Sequence, residues 1–147
     1  MTAFAAKLVF LIGLAQPGIA DERAAEVAGH IVAAVGENLP AAVLLVDTAQ
    51  GESAFRKEVE TCKVTGDNGQ AFSAFQLHKE HFGRHTRSEI CRDPVLAAQL
   101  AHGALSTGGT VAERIARYMG RSTKDREVKR RAHLYERLMK AASDDAS

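Results

Sequence analysis

The stretch from Pro40 to Phe55, PAAVLLVDTAQGESAF, decides the fold. From Ala41 to Ser53 its apolar residues (Ala41, Ala42, Val43, Leu44, Leu45, Val46 and Ala49) spread around nearly the whole circumference of a helix. A helix that is apolar all round is buried, so this one is expected at the centre of the domain with other helices packed about it. Pro40 suits its first turn, where a backbone N–H is not needed. Glu52 stands at its far end, beside Ala54 and Phe55. Partial burial there favours the neutral acid, and a carboxylic acid that keeps its proton near neutral pH can protonate a leaving oxygen. On position alone, an ordinary solvent-facing Glu at a helix end is the simpler reading.

Working outward, Ala24, Val27, His30, Ile31 and Ala34 fall at helical spacing behind Asp21 as a cap, and Gly36 ends a helix over about Glu22–Val35. Between Glu58 and Ser73 the periodicity weakens. The Gly66-Asp67-Asn68-Gly69 turn signal there predicts a short irregular hairpin or an extended loop, the one place where strand is expected. Helical spacing returns over Ala74–Phe82, and again from Asp93-Pro94, a cap followed by a first-turn proline, to Leu105. After the Ser106–Gly109 break come helices over about Thr110–Tyr118 and Thr123–Ala142. The last has Val128, Ala132, Tyr135, Leu138 or Met139 and Ala142 on its apolar face, and Ser143–Ser147 is read as a frayed tail.

With 147 residues and neither repeats nor a linker, the chain reads as one mainly α domain. Its 46% hydrophobic and 25% charged residues are globular values, while the lack of Trp argues against a flat aromatic binding platform. A net charge of +1 gives no whole-molecule pull on nucleic acid. The segment Arg121–Lys140 holds eight Lys and Arg against three acids, a face that could touch nucleic acid, phosphate-rich polymers or anionic lipid. A solvated surface is the default for such a face, and no nucleic-acid motif accompanies it. Cys62 and Cys91 form neither a redox nor a zinc pattern; one bridge is their simplest use, with two buried thiols as the alternative. His78, His81 and His85 would share a face if their segment were helical. The spacing is not H-E-x-x-H, and Lys79, Arg84 and Arg87 oppose a cation, so no metal is expected. Residues 1–20 leave two readings open, a secretory signal cut after Ala20 or an N-terminal helix packed on the domain 21–147. The apolar run from Leu8 to Ala15 is too short for stable membrane insertion.

Glu52-Ser53-Ala54-Phe55 resembles the E-S-x-F motif that opens the catalytic site of lytic transglycosylases and related lysozyme-like muramidases. The segment Gly66–Leu77, GDNGQAFSAFQL, is similar to that group's second motif, in which a Gly- and Ala-rich turn runs into the L-(M/F)-Q-(I/L) pattern. Arg117-Tyr118-Met119-Gly120 stands where the group has a Tyr followed by Asn and a nearby Gly. Ser73 departs from the usual Gly, and Met119 replaces the Asn. Cys62 before the second block and Cys91 after it resemble a subgroup of phage and bacterial domains, which favours the bridge.

The resemblance implies a lysozyme-like α+β fold, with the hairpin or extended loop beside an active-site cleft. It further implies a monomeric, cofactor-free enzyme that cleaves peptidoglycan glycan strands, periplasmic, secreted or phage-derived. Glu52 is the implied acid/base, with Ser53, Gln76 and Tyr118 at the substrate. Asp67 is the candidate second carboxylate of a hydrolysing muramidase, or simply a turn-former. Without it, the muramic 6-hydroxyl closes on C1 and an anhydro product results, and this transglycosylase reading leads. A catalytically silent wall-binding or phage structural domain is the remaining alternative.

Overall fold

A computed structural model describes residues 1–145 and is mainly helical, with eight α-helices among those residues. These are α1 (Ala3–Ala15), α2 (Asp21–Val35), α3 (Leu39–Ser53), α4 (Lys57–Glu60), α5 (Arg87–Arg92), α6 (Pro94–Leu105), α7 (Val111–Met119) and α8 (Arg126–Asp145). The helix apolar on all sides is the centre, as its composition requires: α1, α2, α6 and α8 all pack on α3, and Ala42, Val43, Leu45 and Val46 are fully buried. The helix ends follow local chemistry. Asn38 accepts from the Ala41 N–H, Asp93 from those of Val95 and Leu96, and Thr110 and Glu113 cap α7 reciprocally. Asp21 differs from expectation: it lies in the first turn of α2 with Glu22, favourable to the helix dipole, and Ala20 is the cap.

The segment around residues 66–82 is where the sequence reading needs correction. No hairpin of two strands forms there. Instead, two isolated bridges, Gly66 with Ala71 and Phe72 with Leu77, close tandem tight turns. Nor is Ala74–Phe82 a helix. Ser73 (φ 73°) and Gln76 (φ 51°) adopt left-handed backbone, and Phe72 and Leu77 exchange both backbone hydrogen bonds, which turns the chain back on itself. Only one 3-10 turn, Lys79–His81, survives of the expected helix. The three histidines consequently do not share a helical face. Helix α5, which the sequence reading left out, presents Cys91 to Cys62, and the two are joined as a disulfide.

Helix α8 also differs in detail. Its buried face carries Val128, Arg131, Leu134, Leu138 and Ala142, while Ala132, Tyr135 and Met139 flank it. The helix continues to Asp145, so the frayed tail is not seen at Ser143–Asp145, and the rest of that segment lies outside the described residues. At the other end, α1 breaks at Gln16-Pro17-Gly18 and buries Leu8, Leu11, Ile12 and Ala15 against α2, α3 and α8. Its Lys7 donates to the Ala142 carbonyl.

Because Leu11 is fully enclosed, Leu11→Ala is expected to lower unfolding stability by roughly 2 to 5 kcal/mol in urea titration. A loss under about 0.5 kcal/mol, the range of surface changes, would show that α1 is not part of the core.

Candidate functional site

Helix α3 stops because Ala54 and Phe55 both take left-handed backbone, at φ 50° and 59°. The arrest leaves Glu52 in the last turn of an otherwise enclosed helix, with its side chain 18% exposed. Oε2 of Glu52 accepts from Nη1 of Arg131 at 2.7 Å, and Arg131 itself is 5% exposed. Thus the acid at the end of α3 meets a buried guanidinium from α8, a partner the sequence reading did not foresee. Gly51 makes the approach possible: a Cβ there would collide with the Arg131 guanidinium.

One turn earlier, Asp47 is completely buried, and neither carboxyl oxygen has a hydrogen-bond partner. Burial pushes its carboxyl up to about 8, against the pull of Arg131 and Arg130 and with a push from Glu127. Asp47 is thus a neutral acid through most of the physiological range. It was visible as the lone acid in an apolar run, and the apolar reading of α3 passed over it. Arg131 was hidden, because an arginine within a charged amphipathic helix reads as solvated.

Tyr118, in the last turn of α7, reaches across the chain and donates its hydroxyl to the Phe75 carbonyl at 2.6 Å. Burial holds that hydroxyl protonated well above the ordinary tyrosine range, helped by the negative charge of Glu52 and opposed by Arg131. Glu52, Arg131, Tyr118 and the Phe75–Gln76 turn are therefore neighbours, although they come from four separate segments. The Tyr118 ring stacks on His81 at 5.3 Å with the planes 6° apart. His81 Nδ1 accepts from the His78 N–H, which requires a neutral ring; burial lowers the His81 pKa, His78 adds to this, and Glu80 opposes it. His78 Nε2 in turn lies 2.8 Å from Asp67 Oδ2. A continuous run of contacts, Asp67, His78, His81, Tyr118, leads from the tight turns to the surroundings of Glu52.

The other expected site residues are placed as follows. Ser53 is buried and donates to the Ala49 carbonyl of its own helix. Gln76 donates from Nε2 to the Ser73 carbonyl, and its Oε1 occupies the space a Cβ on Gly66 would need. Asp67 is exposed at the turn, with left-handed backbone at φ 50°. His85 pairs with Glu89, so the three histidines have three different partners. Outside this region, Glu26, His30 and Glu60 bring ligand atoms within 4.8 Å of one another. Two cations already serve that cluster: Arg23 pairs with Glu26 and Glu60, and Lys57 with Glu26. Burial pushes Glu60 up, but hydrogen bonds from His30 and Arg23 reverse this and hold it below the ordinary carboxylate range. No family model, curated protein or solved structure matches the chain.

Two tests address this buried polar pair of helices. Gly51→Ala at an ordinary helical position gains about 1 kcal/mol from propensity. Here the collision with Arg131 is expected to reverse the sign, to a loss of roughly 1 to 3 kcal/mol in chemical unfolding; a stabilised variant would mean that Arg131 moves aside freely. For Asp47, the folded pKa lies above the unfolded one, so its contribution is full below about pH 4 and falls as pH rises through about 8. Asp47→Asn cannot ionise, and its stability relative to wild type is expected to improve steadily between about pH 5 and about pH 8. A variant that instead becomes relatively worse with rising pH would show Asp47 to be an ionised partner of Arg131.

Proposed function

We propose that this protein cleaves peptidoglycan glycan strands between N-acetylmuramic acid and N-acetylglucosamine in the manner of a lytic transglycosylase, on a lysozyme-like domain, with Glu52 as the acid/base. One observation carries the reading. The third of the sequence blocks that resemble the transglycosylase motifs is remote from the first two, with Tyr118 43 residues beyond Phe75, yet the Tyr118 hydroxyl bonds the Phe75 carbonyl while feeling the charge of Glu52. A convergence of this kind is what a shared substrate site needs.

In this mechanism the Glu52 carboxyl protonates the glycosidic oxygen and the C1–O bond breaks; the resulting carboxylate then removes the proton of the muramic 6-hydroxyl as that oxygen closes on C1. One acid serves both steps. Arg131 binds Oε2 and so orients the Glu52 carboxyl. Tyr118 fixes the turn bearing Gln76, and Gln76 and the edge around His78 and His81 line the sugar path. The transglycosylase outcome is preferred over hydrolysis by Asp67 and water because Asp67 is accounted for otherwise: it shapes the turn with left-handed backbone and is bonded to His78.

The test is mass spectrometry of muropeptides released from purified sacculi by the wild type and by Glu52→Gln. Anhydro-muropeptides from the wild type alone are expected, with the variant lower by at least about 100-fold, the lower end of the range for a lost general acid. Reducing ends would transfer the second role to Asp67. Release of nothing by folded wild-type protein would leave a wall-binding or structural domain.

A further inference from the structure

The outer face of α1 is the least explained surface of the molecule. A helix at the edge of a domain ordinarily shows solvent a charged face. Here the outward positions are Ala3, Ala6, Phe10 and Leu14, at helical spacing, with Phe10 48% and Leu14 39% exposed. The sole charge on α1, Lys7, is turned to the Ala142 carbonyl. Beside this apolar ridge runs a cationic one. Arg126, Arg130, His133, Arg137 and Lys140 recur at alternating steps of four and three along α8 and are exposed, with Lys129 adjoining. A groove between the two helices has Leu14, Ala15 and Pro17 on one wall and Arg126, Lys129, Arg130 and Arg137 on the other. Arg130 is paired with Glu127, but Arg126, Lys129 and Arg137 have no acidic partner among the described residues. Among the described side chains, Glu136 and Asp144 are the other acids of the exposed α8 surface.

We propose that this face docks on a bilayer carrying anionic headgroups, with Phe10 and Leu14 entering the headgroup–acyl boundary and the α8 cations resting on lipid phosphates. The apolar ridge selects this partner. A soluble polyanion would use the cations and leave Phe10 and Leu14 in water, whereas an anionic membrane surface satisfies both ridges at once. No helix among the described residues is long and apolar enough to cross a membrane, so attachment is peripheral. The inference is independent of the reading of Glu52.

Because the chain has no Trp, Phe10→Trp supplies a unique fluorescent reporter at the proposed contact. The full chain is titrated with phosphatidylcholine vesicles with and without phosphatidylglycerol. Expected are a blue shift and co-sedimentation only with phosphatidylglycerol, weakened by salt. Each interfacial cation contributes roughly fivefold to such partitioning, so Lys129→Glu with Arg137→Glu is expected to lower it by at least about 25-fold. Phe10→Ser with Leu14→Ser, both at exposed positions, is expected to lower it at least about tenfold with the helical circular dichroism unchanged. Three results would overturn the proposal: no binding to phosphatidylglycerol vesicles, an unshifted Trp in bound protein, or binding indifferent to the Ser pair. The last, joined to competition by heparin, would assign the cations to a soluble polyanion instead.

Discussion

Everything in this structure follows from enclosing α3. A helix without a polar face must be covered on every side, and here α1, α2, α6 and α8 provide the cover, drawn from both ends of the chain. The same requirement dictates where chemistry is possible. From Ala41 to Ala49 α3 is buried, and beyond that stretch the last turn, where Ala54 and Phe55 arrest the helix, brings Glu52 towards solvent. A carboxyl at the end of an enclosed helix is held by packing on three turns of that helix, and such anchoring is what precise positioning calls for.

Enclosure also creates a cost, because α3 carries Asp47 inside and α8 inserts Arg131 beside it. Burying an unpartnered charge is expensive, and the molecule lowers that cost in two ways. Asp47 gives up its charge through most of the neutral range, and Arg131 keeps its own by bonding Glu52 across Gly51. Well-packed apolar residues would serve stability at least as well in those positions. The arrangement makes physical sense as a way of tying Glu52 to α8, and so to the helix whose outer side bears the cationic ridge.

How much of this was legible in the sequence depended on whether local or distant forces set the backbone. Helices α2, α3, α6 and α7 were readable, because periodicity and capping residues such as Asp93 and Thr110 act within a few positions. In the segment from Thr61 to Arg92 only the Gly66–Gly69 turn and the Cys62–Cys91 bridge were readable. The segment's conformation is held by bonds to remote residues, chiefly Cys62 to Cys91 and Tyr118 to Phe75, and the apparent helical spacing of Ala74–Phe82 is overridden by them. Within the proposed site, Glu52 and Tyr118 were singled out by motif resemblance; Asp47 was passed over, although its isolation among apolar residues was legible. Arg131 was not, since Val128, Leu134 and Leu138 define the buried stripe only once the packing of α8 is known.

The departures from ordinary backbone lead back to the same place. Every described non-glycine residue with positive φ lies between Ala54 and Gln76, that is, in the turns immediately following Glu52. Such conformations cost on the order of 1 kcal/mol each and persist only where neighbouring structure over-determines them. Ser73 shows how: glycine would adopt its φ of 73° freely, but the buried serine accepts the Phe75 N–H on Oγ, and Gln76 bonds its carbonyl. The Phe72–Leu77 bridge and the Tyr118 hydroxyl close the same turn from outside. Strain concentrated in one segment and fastened from three directions gives a loop with a single shape. A shape fixed in this way, beside a carboxyl fixed by α3 and Arg131, is more than stability alone requires.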